Sequence, residues 1–493
     1  MASNDTHSDD RVSTGTDGLD DVLDGGYVPG RNYMIHGQPG AGKTLLGLHF
    51  LTTCEPDENA LYVNLGEPEA DIRRDAERFG FDLDDVAFLD LSPSADFFTE
   101  DQSYDVFPSS EVEGDGVVAD IVEGVREHEP DRVFVDPMTQ FRYLSPDDYQ
   151  FREQVLSFLQ FMKERGTTVL FTSQDTSATP DDDLQFMSDG IVHLRYEEER
   201  RSLEVTKFRG SDFQGGEHAV RISDTGMTVF PKLRPGSHEA TFAAEPLPSG
   251  VPAMDELLHG GLERGTISII SGPSGVGKTT TGTQFVKEAA GRGERSVIYM
   301  FEESRATFLE RMRSINVPVE QMIDRGTLEV KEVEALEQSP AEFANDVRHE
   351  VEENDTKIVM VDGINGYRLA IQGDDDELTN ELHSLGRYLQ NMGVTTIFVS
   401  EMQSITGEFE ATEENVSYLA DNILFLRYIE FEGELQKAVG VLKKRASDFE
   451  RTLRDFEITE HGLTVGGPLS ELRGVLSGTP EWTEKKDEFG RED

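Results

Sequence analysis

Residues 37–44 read GQPGAGKT and residues 272–279 read GPSGVGKT, so the pattern G-x-x-x-x-G-K-[ST] occurs twice in one chain of 493 residues. The pattern has a mechanical meaning. Glycines permit a tight turn in which successive backbone N–H groups point inward at an anion. The helix that follows adds the positive end of its dipole. The residues expected to hold ATP are therefore Gly37, Gly40, Ala41, Gly42, Lys43, Thr44 and Leu45 in the first copy. In the second they are Gly272, Gly275, Val276, Gly277, Lys278, Thr279 and Thr280. Lys43 and Lys278 would reach the β- and γ-phosphates, and the Thr44 and Thr279 hydroxyls would ligate Mg²⁺.

Phosphoryl transfer also needs carboxylates. Asp136 ends the apolar run RVFVD and Asp362 ends KIVMVD. A carboxylate there, downstream of a phosphate loop, can hold the metal and its water shell. Another apolar run, IYMFEES, ends in Glu302 and Glu303, whereas the first copy reads LYVNLGEP and offers Gly66 and Glu67. Glu302, Glu303 and Glu67 are the candidate general bases, and Glu302 is grouped with the metal ligands as well. Adjacent carboxylates raise one another's pKa, which suits a base. The plainer alternative is a solvated acidic pair at a strand end. Cations complete the set. RSLEVTKFRG supplies Arg201, Lys207 and Arg209, and KAVGVLKKRA supplies Lys437, Lys443 and Arg445. Lys207/Arg209 and Lys443/Arg445 alternate along a strand, so each pair shares a face. They could neutralise charge on a transferring phosphoryl group, or simply balance local acid on a solvated strand.

These residues are positioned by a duplicated unit. Residues 14–44 lie over 249–279 without a gap, RVFVDPMTQF over KIVMVDGING, MSDGIVHLRY over LADNILFLRY, and TKFRGSDF over LKKRASDF. Each copy alternates strand-like apolar runs (ALYVNL, AFLDL, RVFVD and TTVLFTS; SVIYMF, TLEVKEV, KIVMVD and TTIFVS) with amphipathic helical stretches. Such alternation predicts an α/β fold, two tandem domains each with a mostly parallel sheet flanked by helices. The expected bounds are a disordered acidic tail over 1–11, a first ATP-binding domain over 12–232, and a linker rich in Pro and small residues over 233–247. A second ATP-binding domain is expected over 248–478 and a fraying polar tail over 479–493.

Composition limits the alternatives. There are 97 acidic residues against 45 basic, a formal net charge of −52. That much self-repulsion opposes compaction in dilute buffer. At molar salt the Debye length falls to about 3 Å and screens it. A salt-filled cytoplasm, as in halophilic archaea, is the expected setting. The N-terminus is polar and acidic, unlike a signal or transit peptide. No run approaches the roughly 18 apolar residues of a membrane span. The single cysteine, Cys54, excludes an internal disulfide. Acidic surfaces repel nucleic-acid backbones.

With the tandem loops, the FEES strand end, the K-x-R pairs and LSELRGVLSGTPEW near the C-terminus in hand, the chain resembles the KaiC family of RecA-type ATPases over nearly its whole length. The resemblance implies a homohexamer of two stacked rings with Mg²⁺–ATP between neighbouring subunits. It implies that Arg201, Lys207, Arg209, Lys437, Lys443 and Arg445 act in trans, and that unidentified signalling proteins are partners. It further implies a first domain that is chiefly an ATPase and a second that also phosphorylates itself on an adjacent Ser–Thr pair, with Ser417 matching that pair and Thr412 another hydroxyl of the segment, both candidate acceptors. Three departures are visible. Gly66 replaces the usual base, Tyr418 follows Ser417 where a Thr is expected, and Ala446 replaces the Gly of K-x-R-G. Two other readings compete: a RecA/DnaB-type motor on single-stranded DNA, which would need a basic, aromatic-lined channel, and a nucleotide-sensing scaffold with little turnover.

Overall fold

A computed structural model describes residues 11–92, 113–145, 147–174, 181–197, 200–234, 245–333, 338–370, 375–402, 418–431, 433–470, 472–473 and 481–482. The chain divides into two compact units, Met1–Lys232 and Leu233–Asp493. In the first the strands are β1 (Asn32–Gly37), β2 (Ala60–Asn64), β3 (Val86–Asp90), β4 (Arg132–Asp136), β5 (Thr168–Ser173), β6 (Gly190–Glu197), β7 (Arg200–Phe208), β8 (Glu217–Ser223) and β9 (Gly226–Phe230). They form one sheet in the order β3-β2-β4-β5-β1-β6-β7-β8-β9. The first six strands of that order are parallel and the last three turn antiparallel.

The second unit repeats the plan. After a small ladder of β10 (Pro246–Leu247) and β11 (Leu262–Glu263) come β12 (Ile267–Gly272), β13 (Ser296–Met300), β14 (Leu328–Glu332), β15 (Ile358–Asp362), β16 (Thr395–Glu401), β17 (Asn422–Phe431), β18 (Glu434–Lys444), β19 (Arg454–Thr459) and β20 (Gly462–Pro468). Their order is β14-β13-β15-β16-β12-β17-β18-β19-β20. The central strands are buried throughout, as in β2, β5, β12, β13 and β15. This is why they read as unbroken apolar runs: helices cover both faces of a parallel sheet. Each unit accordingly has two large apolar clusters among its described residues. Leu233 and Leu247, in the stretch expected to link the domains, are buried in clusters of the second unit. At the other end, Leu472 pairs with Trp482 across a short antiparallel ladder.

One irregularity recurs at the same place in both sheets. Ile191 pairs with Lys207 but Val192 pairs with Val205, leaving Thr206 as an extra residue; Ile423 pairs with Lys443 but Leu424 with Val441, leaving Leu442. A bulge of this kind shifts side-chain parity by one. Val205 and Phe208 are both buried, three positions apart, as are Val441 and Lys444. The strand preceding Lys207 and Lys443 therefore cannot be extrapolated through them by simple alternation.

Candidate nucleotide sites

Both phosphate loops join the end of a central parallel strand to a helix, β1 to Lys43–Thr52 and β12 to Lys278–Gly291. Gly42 and Gly277 immediately precede these helices with φ of 105° and 118°. A Cβ on Gly42 would stand 2.5 Å from Met227 Cε, and one on Gly277 2.5 Å from Ile458 Cδ1. Only glycine fits the left-handed turn and the close sheet beneath it. Lys43 Nζ donates to the Gly37 and Gln38 carbonyls at 2.7 and 3.0 Å, and Lys278 Nζ to the Pro273 carbonyl at 3.0 Å. Each ammonium is thus folded back over its own loop, where phosphate oxygens would replace carbonyls as partners. Burial holds both lysines below their ordinary pKa.

The threonine after each lysine meets the aspartate at the end of a strand two places away in the sheet, β4 from β1 and β15 from β12. Thr44 Oγ1 donates to Asp136 Oδ2 at 2.8 Å, and Thr279 Oγ1 to Asp362 Oδ1 at 3.1 Å. A hydroxyl and a carboxylate side by side are the hard oxygen donors that Mg²⁺ takes, so the residues fit the metal in both units. The surroundings differ. Asp136 also accepts from Tyr62 at 3.2 Å and from Thr172. Asp362 is more deeply enclosed, and its carboxyl is pushed up to about 6, chiefly by burial.

The register equates the remaining strand ends. Asn64 pairs with Asp136 as Met300 pairs with Asp362, and the Leu65 and Phe301 amides donate to the corresponding aspartate carbonyls. Gly66 and Glu302 therefore occupy the same place, as do Glu67 and Glu303. Glu302 is raised above the ordinary glutamate pKa by partial burial and by the charge of Glu401, against the pull of Lys278 and a hydrogen bond from the Gly366 amide. Glu303 is held by Arg311, whose Nε donates to Oε1 at 3.2 Å. At the position of Arg311 the first copy has Asp75. Glu67, exposed, has no such guanidinium among the described residues, and its backbone carbonyl accepts from Asn64.

Sequence reasoning passed over Glu401 and Arg311. Glu401 ends β16 opposite Gly272 and acts electrostatically on both Lys278 and Glu302; Gln174 follows β5 at the same place in the first copy. Its role comes from the tertiary adjacency of β16 to the strand that carries the loop, which no local pattern marks. Arg311 sits on the helix Arg305–Ser314, and only tertiary packing returns it to Glu303.

The basic triplets are not brought together. The Lys437 Nζ approaches the Gly275 carbonyl at 3.4 Å, beside the phosphate loop of its own unit. The Arg201 guanidinium stacks 4.2 Å from the Tyr196 ring, whose backbone carbonyl accepts from Gln38. At the opposite end of the same strands, Lys207 Nζ donates to the Gln185 and Phe186 carbonyls, Arg209 pairs with Asp189 at 3.4 Å, and Arg445 pairs with Asp421 at 3.4 Å. Arg445 also donates to the Tyr418 carbonyl at 3.0 Å. Ser417 and Thr412 lie outside the described residues. No described helix is long and apolar enough to cross a membrane.

Comparison with known proteins agrees with this geometry. The family model "ATPase: KaiC" matches residues 12–234 and again 247–470. The circadian clock oscillator protein KaiC of Parasynechococcus marenigrum is 28% identical over 501 residues, covering 98% of this chain and 95% of that protein. The circadian clock protein KaiC3 of a Synechocystis strain is 28% identical over 505 residues, covering 98% and 97%. KaiC of Synechococcus elongatus is 26% identical over 486 residues, covering 95% and 92%.

Proposed function

The chain belongs to the KaiC ATPase family, and from that premise we propose that its second domain is the main seat of ATP hydrolysis while its first binds ATP chiefly to hold an oligomeric ring together. The observation that carries this reading is the contrast at one sheet position, Glu302 in the second unit and Gly66 in the first. In the second site Lys278 and the loop amides bind and orient the phosphates. Glu302 accepts a proton from water as its oxygen bonds to the γ-phosphorus and the bond to the ADP oxygen breaks. Partial burial and the charge of Glu401 raise its pKa, which makes it a stronger base. Mg²⁺, held by Thr279 and Asp362, would neutralise charge on the phosphate oxygens. The first site keeps the loop, Lys43 and the Thr44–Asp136 pair and lacks the base.

The ring is a homohexamer in which Lys207/Arg209 and Lys443/Arg445 reach a neighbour's nucleotide, and the protein serves cytoplasmic signalling through protein partners. Serine self-phosphorylation at Ser417 belongs to the same reading. Supporting it, Arg445, one of the proposed trans cations, donates to the carbonyl of the adjacent Tyr418. ATP turnover and γ-³²P self-labelling in molar KCl test the proposal, with wild type beside Glu302→Gln. Loss of both in the variant is expected. Wild-type turnover in Glu302→Gln would overturn it, and hydrolysis without labelling would leave an ATPase that is no kinase.

A further inference from the structure

The Glu302 side chain packs against the two glycines that follow Asp362, and the first site carries other residues at both corresponding positions. Gly363 has φ of 97°, and a Cβ built there would lie 2.8 Å from Glu302 Cγ and 2.9 Å from its Cδ. At Gly366 a Cβ would lie 2.6 Å from Phe301 Cβ and 3.4 Å from Glu302 Cγ. The Glu302 side chain therefore lies against bare backbone, and the Gly366 amide donates to its carboxylate. In the first unit Pro137 stands where Gly363 does and Gln140 where Gly366 does, while Gly66 stands for Glu302.

The exchange is not neutral. Proline cannot take the left-handed conformation of Gly363, and Pro137 has φ of −95° and ψ of 142°. The chain thus leaves Asp136 along a different path from Asp362. The Pro137 ring comes against the missing side chain: a Cβ on Gly66 would already touch Pro137 Cδ at 3.4 Å. A methyl group fits there in ordinary contact, and the two positions that are bare glycines beside Glu302 carry the side chains of Pro137 and Gln140 in this unit.

We infer that Gly363 and Gly366 are positioning residues for Glu302, and that Pro137 and Gln140 keep the first site from using a glutamate at position 66. The inference rests on the reading of Glu302 as the base, and two measurements separate them. The first is a stability cycle that involves no turnover. Gly363→Ala pays its left-handed strain in any background, but the contact with Glu302 only where that side chain is present. It should lower the melting temperature by about 3 °C or more beyond its effect in Glu302→Gly. Equal lowering in both backgrounds would overturn the positioning role.

The second measurement is turnover in a Glu302→Gln parent, which silences the second site. Gly66→Glu alone should leave ATP hydrolysis at the parent's level, whereas Gly66→Glu with Pro137→Gly and Gln140→Gly should raise it at least tenfold. A gain from Gly66→Glu alone equal to that of the triple variant, or no gain from a folded triple variant, would overturn the inference for the first site. If the Glu302→Gln parent hydrolyses ATP like wild type, the proposed function fails instead, and the stability cycle still decides the role of Gly363.

Discussion

Arg311 grips Glu303: its Nε donates to Glu303 Oε1 at 3.2 Å, and both side chains are mostly buried. The same guanidinium reaches Thr280 Oγ1 at 3.3 Å, on the helix that begins at Lys278. Arg311 therefore ties Glu303 to the helix that begins at Lys278, and on the proposed reading Glu302 is the carboxylate that takes the proton. Glu302→Gln is expected to lower turnover about 10²–10³-fold, the usual contribution of a general base. Glu303→Gln should cost less than about tenfold and act mainly through stability, by roughly 1 kcal/mol for a partly exposed pair. Steady-state ATPase rates and melting curves measure the two effects. Equal catalytic losses would refute the division.

The two loop lysines should also differ. Lys278 lies among the charges of Glu401, Glu302 and Asp362, a site equipped for chemistry; Lys43 feels only Asp136 among the carboxylates that act on it. Lys278→Ala should remove most turnover and leave assembly largely intact. Lys43→Ala should weaken ATP-dependent assembly, because on the proposed reading nucleotide at the first site would stabilise the ring by linkage. Light scattering and phosphate release on the same samples distinguish them. Equal loss of turnover from either substitution would count against separate roles.

Away from the sites, Glu350 offers a test at the level of stability. Burial pushes its carboxyl up, but hydrogen bonds from Lys331, Arg295 and Thr356, each at 2.9 Å, outweigh burial and hold it below the ordinary glutamate value. A depressed folded-state pKa contributes stability that is present above the unfolded value, about 4.3, and lost as pH falls through the folded one. Glu350→Gln should therefore cost about 2–4 kcal/mol at pH 7, because two cations lose their shared anion. The gap to wild type should narrow below about pH 4. Urea unfolding at pH 7 and pH 3.5 gives both numbers, and a gap that stays constant with pH would show that packing, not charge, explains the loss.

The parts of the sites that could be read in the sequence are those carried by contiguous residues. The loops, the aspartates at the ends of β4 and β15, and the Glu302/Gly66 contrast each occupy a few adjacent positions next to an apolar run. The unread parts depend on residues distant in sequence or on a break in periodicity. Glu401 matters because β16 lies beside β12, and Arg311 because a helix turns it back. The bulges at Thr206 and Leu442 leave no compositional mark, yet they shift Lys207 and Lys443 out of phase with the strand before them. Pairs two apart still share a face beyond the bulge, but Lys437 and Lys443 belong to opposite ends of one long strand.

Salt should stabilise this protein. A net charge of −52 repels itself across the surface, and raising KCl from 0.1 M to 1 M shortens the Debye length from about 10 Å to about 3 Å. The exposed ion pairs on the helix Arg305–Ser314, such as Arg313–Glu310, weaken under the same change. Such pairs are worth little individually, so relief of the general repulsion should dominate. The melting temperature is expected to rise by roughly 10 °C or more between 0.2 M and 2 M KCl, as a few kcal/mol would produce in a domain of this size. A melting temperature that falls with salt would mean that local ion pairs outweigh the net charge.

The final prediction separates cations that act within a subunit from those that act between subunits. Lys437 lies beside Gly275 of its own loop, whereas Arg445 extends from the far end of the strand, half-exposed, with Asp421 as its ion-pair partner. If Lys443 and Arg445 complete a neighbour's site, a subunit carrying Lys443→Ala and Arg445→Ala still has a sound phosphate loop. A subunit carrying Lys278→Ala still has sound trans cations. Each is inactive alone, yet in a mixed ring the sound loop of one meets the sound cations of the other. Mixing the two after disassembly, then reassembling with Mg²⁺–ATP, should restore a substantial part of wild-type turnover. Lys437→Ala mixed with Lys278→Ala should restore none, because both changes damage the loop side of the site. Failure of the first mixture to recover, with mixed rings verified by pull-down of a tagged subunit, would place Lys443 and Arg445 in their own subunit's structure rather than in a neighbour's site.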